Sequence, residues 1–132
     1  MDASERLAEE LAARGLRVTQ QRLQVLQALR QLDHPTAGEL YDKLSEDIPN
    51  LSKKTVYSTL ETLEEAELAV RLSVGDGAHR YEANTEPHSH AHCRACGRLE
   101  DLPHASTPAA LPAGFTPERV FVMVQGTCRD CR

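Results

Sequence analysis

The chain has 132 residues, a mass of 14.6 kDa and 40% hydrophobic residues, enough for one ordinary domain or two small ones. Its formal net charge of −5 excludes a uniformly basic surface, so any contact with nucleic acid must come from local patches. No stretch approaches the roughly 20 apolar residues of a membrane span, and Met1-Asp-Ala-Ser-Glu-Arg6 lacks the regions of a signal peptide, so a cytoplasmic protein is expected.

Residues 1–83 hold 10 Lys/Arg against 15 Asp/Glu, and residues 84–132 hold 5 against 5. Within the acidic first part, Arg14 to Arg30 carries Arg14, Arg17, Arg22 and Arg30 with no acid. Ser4–Arg14 reads as an amphipathic helix closed by Gly15. Thr19 caps a second helix, Gln20 to about Gln31, in which Leu23, Leu26 and Leu29 recur with Val25 and Leu32 widening the apolar face. His34-Pro35 breaks it, and Thr36 caps a third helix through Leu40, Tyr41 and Leu44 to about Asp47.

After Pro49-Asn50, Ser52 opens a fourth helix, Lys53 to about Ala66, with Val56, Leu60 and Leu63 on one face. Its other side shows Lys54, Thr55, Tyr57, Ser58 and Glu61. Leu68–Val74 and His79–Ala83 flank Gly75-Asp76-Gly77 and read as a β-hairpin. Three helices followed by a hairpin make a winged helix-turn-helix over residues 1–83, with the fourth helix of the chain in the major groove. Lys53, Lys54, Thr55, Tyr57 and Ser58 are the base-facing candidates, and Arg14, Arg17, Thr19 and Arg22 the phosphate or flanking candidates. Arg22 could equally pair with an acid and stabilise the fold.

Residues 84–87 read as a hinge, and residues 88–132 as a second, smaller domain with strands at Ser89–Cys93, Arg98–Leu102 and Val120–Val124. Pro103–Gly114 reads as loop. A unit of about 50 residues buries too little apolar surface to be secure alone, so a metal staple or dimerisation is expected. Cys93-Arg-Ala-Cys96 and Cys128-Arg-Asp-Cys131 are two Cys-x-x-Cys turns, and most economically they close one tetrahedral structural zinc. A pair of redox-active disulfides is the competing reading of the four cysteines, and a zinc-ribbon thiol-redox switch or interaction module without metal-responsive DNA binding is the alternative function. Beside the first turn stand His88, His90 and His92 at alternate positions. A zinc hydrolase or deaminase is disfavoured, because no His-x-Glu precedes a Pro-Cys-x-x-Cys.

The chain resembles the ferric uptake regulator family in Gly15-Leu-Arg-Val-Thr-Gln-Gln-Arg22, His34-Pro-Thr-Ala37, Leu51-Ser-Lys-Lys-Thr-Val-Tyr57, Arg80-Tyr-Glu82, His88-Ser-His90, Cys93-Arg-Ala-Cys96-Gly97 and Gly126-Thr-Cys128-Arg-Asp-Cys131. Each motif alone is weak, and their order and spacing together are specific. The resemblance implies an α+β protein, a winged-helix DNA-binding domain followed by a small C-terminal α/β dimerisation domain with a four-cysteine zinc site. It implies a homodimeric, metal-activated repressor on a palindromic, A/T-rich double-stranded operator, controlling iron or manganese homeostasis or the peroxide response. No catalysis, small-molecule substrate or membrane is implied.

The family's regulatory site maps onto His34, Glu82, His88, His90 and Asp101, a set suited to Fe(II) or Mn(II), with Zn(II) able to substitute. Peroxide-sensing members typically carry Asp where Glu82 stands, so the Glu is more like a general iron or manganese regulator. Zinc-uptake regulators usually bring a cysteine to this site, and here all four are committed to the two turns; nickel stays open because of the extra histidines. A third metal site found in many members is expected to be absent, given Val120-Phe-Val-Met-Val124 and the acid-free segment 105–113. His92 is expected to pack or lie exposed rather than ligate, and His79 and His104 to be surface residues.

Overall fold

The computed structural model describes every residue except 1, 75–76, 87, 103–109, 119 and 121. The chain divides into two compact units, Met1–Thr85 and Glu86–Arg132.

The first unit holds four helices and a two-stranded wing, in the order α1 (Ala3–Ala13), α2 (Gln20–Gln31), α3 (Ala37–Ser45), α4 (Lys53–Glu65), β1 (Val70–Leu72) and β2 (Arg80–Glu82). Each helix begins where a short polar side chain accepts an otherwise unsatisfied N–H. Asp2 accepts from Glu5 (2.8 Å), Thr19 from Arg22 (3.2 Å) and Ser52 from Thr55 (3.1 Å). Thr36 and Glu39 form a full capping box. α1 stops at Gly15, whose φ of +76° lets the Leu16 N–H return to the Leu11 carbonyl (3.0 Å). α4 ends on the same geometry with Glu67 in the left-handed position (φ +60°).

The leucine spacing does what a 3.6-residue period requires. Leu11, Leu26, Leu29, Leu40, Leu60 and Leu63 are all fully buried, joined by Val25 and Val56. Each such side chain contributes roughly 1.5–3 kcal/mol of burial free energy. The wing strands are shorter than the two apolar runs suggested, pairing only Val70 with Glu82, Arg71 with Tyr81 and Leu72 with Arg80. The turn residues Gly75-Asp76 lie outside the described residues. β2 is tied to the segment before α3, since the Tyr81 N–H donates to the Pro35 carbonyl (2.8 Å) and Thr36 bridges Arg80.

Among the described residues the second unit holds a three-stranded sheet in the order β4 (Leu99–Leu102), β3 (Ser89–Cys93), β5 (Met123–Gly126). β3 pairs antiparallel with β4 and parallel with β5. The last strand lies downstream of the expected Val120–Val124: its register sets His90 against Met123 and Cys93 against Gly126. The reason is the cysteine turns. Pairing continues through Arg94 N–H to the Gly126 carbonyl (2.9 Å), which brings Cys128 beside Cys93. Of the expected loop Pro103–Gly114, residues 103–109 lie outside the described residues, as does His104. Among the described residues the only buried apolar side chains of this unit are Cys93 and Leu99.

Candidate metal centres and nucleic-acid face

The first Cys-x-x-Cys turn follows β3. Gly97, at φ +80°, lets its N–H donate to the Cys93 carbonyl (2.9 Å), and Cys93 N–H donates to the Arg98 carbonyl (2.9 Å). In the second turn Cys131 N–H donates to the Cys128 carbonyl (3.0 Å). All four sulfurs lie within 4.8 Å of one another, and Cys96 Sγ is 3.8 Å from Cys128 Sγ. A tetrahedral zinc with Zn–S of about 2.3 Å has S–S edges of about 3.8 Å. The thiols are free rather than disulfide-bonded, so the arrangement fits zinc and not the paired-disulfide reading.

The proton chemistry of the four thiols is asymmetric. N–H groups of Cys128 and Cys96 pointing at the Cys93 sulfur pull its pKa down to about 6. The Cys131 S–H, donating to the Cys128 and Cys96 sulfurs, is held protonated, which with burial pushes its pKa up to about 12. At neutral pH Cys93 is therefore a thiolate before metal arrives, whereas Cys131 must surrender a proton to ligate. A depressed pKa favours the thiolate form above it, and that advantage is lost as pH falls through about 6.

A second donor set lies in the first unit. His34 sits between α2 and α3 at φ +46°, a backbone region that few non-glycine residues adopt. Arg80 Nη1 donates to its carbonyl (3.0 Å), which fixes the bend against β2. The buried His34 ring presents Nε2 to Glu82 Oε2 at 3.0 Å, while Nδ1 lies 2.6 Å from Asp33 Oδ1. Asp33 escaped the sequence reading.

A third set lies in the second unit. Cross-strand pairing places His90 opposite Asp101, and His88 just precedes β3. Nε2 of His88 and Nε2 of His90 each lie 3.3 Å from the same Asp101 Oδ1, with ring centroids 4.5 Å apart. His88 Nδ1 donates to the Glu86 carbonyl (2.7 Å), which fixes that proton and leaves Nε2 as the donor atom. His92 belongs elsewhere: it is half-buried, paired in register with Gln125, and its Nδ1 lies 3.5 Å from Gln125 Nε2. His79 is exposed beside Ser73 Oγ (3.2 Å).

On α4, Lys53, Lys54, Tyr57 and Ser58 are exposed and Thr55 is half-buried. Tyr57, a large aromatic, is 55% exposed. Lys53 Nζ lies 5.6 Å above the Tyr41 ring, a cation–π contact that steers its stem. Arg17, Thr19 and Arg22 from the start of α2 line a polar cleft of about 320 Å³ with Thr55 and Ser58 of α4; Gln21, Thr59 and Thr62, not foreseen from sequence, complete it. Arg22 Nη1 donates to the Arg17 carbonyl (2.8 Å), so it braces this corner through the backbone rather than through an acid. Arg14 is placed differently. Its guanidinium donates to the Ala66 carbonyl (3.1 Å) and lies 3.6 Å from Glu67, at the far end of α4.

A winged helix with an exposed basic and aromatic helix start, joined to a small unit with cysteine and histidine donor sets, defines a DNA-binding regulator that answers to metal. The sequence profile of the ferric uptake regulator family matches residues 13–111. The peroxide operon regulator of Bacillus subtilis is 34% identical over 129 residues, covering 93% of this chain and 89% of that protein. The peroxide-responsive repressor PerR of Staphylococcus aureus is 33% identical over 124 residues, covering 89% and 84%. The ferric uptake regulator of Pseudomonas aeruginosa, solved with manganese, superposes with a TM-score of 0.72 at 25% identity, covering 92% and 96%. The chain belongs to the ferric uptake regulator family. It is a metal-dependent, DNA-binding transcriptional regulator and not an enzyme.

Proposed function

We propose that this chain is a cytoplasmic, homodimeric repressor whose hold on a palindromic, A/T-rich operator is set by one divalent metal per chain. The observation that carries the reading is the pair of half-sites: His34 with Glu82 in one unit, and His88 and His90 with Asp101 in the other. Each half offers imidazole Nε2 and carboxylate oxygen to one point, and neither half alone satisfies a five- or six-coordinate first-row ion. When bound, Fe(II) or Mn(II) would supply a cross-link drawn from both sets, with Zn(II) as a substitute. His34 and Glu82 thereby hold the base of the wing, and His88, His90 and Asp101 hold the sheet. The DNA-competent arrangement is favoured only by the differential affinity of these five side chains for metal in that state. Cys93, Cys96, Cys128 and Cys131 carry a structural zinc in the same chain.

Lys53, Lys54, Thr55, Tyr57 and Ser58 are the side chains we assign to base edges and adjoining phosphates, with Arg17, Thr19 and Arg22 on the backbone. Arg14, held at the far end of α4, is the weakest member of that set. Lys54→Ala removes one phosphate contact from each protomer of the dimer and should reduce the slope of log affinity against log salt by about two. An unchanged slope would remove Lys54 from the interface.

The two relatives at 33–34% identity are named for peroxide, whereas Glu82 is the residue that argued for a general iron or manganese regulator. Operator affinity measured for the Fe(II) and Mn(II) forms, before and after hydrogen peroxide, separates the two. The Glu82 argument predicts equal retention in both forms. A loss confined to the iron form would make the chain a peroxide sensor.

A further inference from the structure

Asp33 precedes His34 and has a side chain that is 86% exposed, the ordinary setting of a solvated surface carboxylate. Its Oδ1 nonetheless lies 2.6 Å from Nδ1 of His34, whose own side chain is only 6% exposed. Nε2, on the opposite side of that ring, faces Glu82 at 3.0 Å. Carboxylates only accept, so both ring nitrogens face acceptors; when Nε2 turns its lone pair to a metal held beside Glu82, the one remaining ring proton is on Nδ1, where Asp33 Oδ1 accepts it. That is the orientation a metal ligand needs.

We infer that Asp33 is a positioning residue for the regulatory metal: it accepts the Nδ1 proton of His34 and so turns Nε2 toward a metal beside Glu82. The inference rests on His34 being a ligand of that metal. The contact depends on the backbone bend at His34, because the left-handed φ of +46° folds the ring back toward the preceding side chain. Arg80 and Tyr81 of β2 hold that bend through the His34 and Pro35 carbonyls. His88 is oriented in the same manner, but by the neutral carbonyl of Glu86. The charged acceptor belongs to His34 alone of the two, which makes its Nε2 the stronger donor.

The test uses the full-length, zinc-loaded protein. Mn(II) affinity is measured by competition with a fluorescent chelator for wild type, Asp33→Ala, Asp33→Asn and His34→Ala. Asp33→Ala should weaken Mn(II) binding by about tenfold, the lower end of outer-shell losses. Asp33→Asn should recover part of this, since its amide oxygen still accepts the Nδ1 proton. Zinc content should not change in either Asp33 variant, which separates the effect from misfolding. Unchanged Mn(II) affinity in Asp33→Ala overturns the role of Asp33. Unchanged affinity in His34→Ala overturns the ligand reading beneath it.

Discussion

Replacing Cys128 by serine is expected to empty the four-thiolate site and unfold the unit Glu86–Arg132 while the helical unit stays folded. The expectation follows from where the apolar burial lies. The hydrophobic cluster built from α1 to α4 runs from Leu7 to Tyr81, wholly inside the first unit. Among described residues the second unit buries only Cys93 and Leu99 as apolar side chains, and β4 and β5 are the edge strands of its sheet. A sheet of that size cannot offset its conformational entropy. Structural zinc in small thiolate sites supplies about 10–16 kcal/mol of apparent binding free energy at neutral pH, which is at the same time folding free energy. Cys128 is a costly ligand to lose, because its thiolate lies 3.8 Å from Cys96 Sγ and ties the chain after β5 to the turn after β3 through the shared metal. The check is zinc content after denaturation together with hydrogen exchange: fast exchange across β3 to β5, with α2 and α4 still protected. A zinc-free Cys128→Ser chain with native protection in β3 would contradict the account.

His90→Ala is expected to leave the fold intact and abolish the response to metal. His90 is 2% exposed, faces Asp101 across β3 and β4, and lies at the centre of its half-site. Loss of an outer-shell partner costs about tenfold to a hundredfold in metal affinity, and loss of a ligand should cost more. Metal and DNA are linked, so whatever free energy the metal contributes to DNA binding, DNA returns to metal binding. Driving such an equilibrium from about 1:99 to 99:1 requires roughly 5.5 kcal/mol of differential affinity, a demand that an incomplete ligand set does not meet. His90→Ala should therefore bind operator in Mn(II) no more tightly than wild type does in chelator. Calorimetry reads the metal affinity directly, and retention of wild-type Mn(II) binding would remove His90 from the site. Because the cysteine site is separate, its zinc should remain.

Much of this was legible in the residues. Helix starts followed from Thr19, Thr36 and Ser52, and burial from leucines at helical spacing, because both signals are local. The clustering of Cys93, Cys96, Cys128 and Cys131 followed from two tight turns of equal spacing. The last strand was misplaced because Val120–Val124 is the more apolar run, whereas pairing is dictated by the need to carry Cys128 to Cys93, a non-local constraint. Asp33 was invisible for a different reason. Its contact with His34 needs a left-handed backbone at a non-glycine residue, and nothing in His34-Pro35 announces that. The placement of Arg14 against Ala66 and Glu67 likewise depends on how α1 and α4 end in space, which composition does not reveal.

The most direct test of the central claim is operator affinity by fluorescence anisotropy, with the zinc-loaded protein in Mn(II) and in a chelator too mild to strip the thiolate zinc. Tight binding in Mn(II), collapse in chelator and recovery on adding Mn(II) back is the predicted result. Equal affinity in both would contradict the metal switch, whatever the protein's hold on DNA.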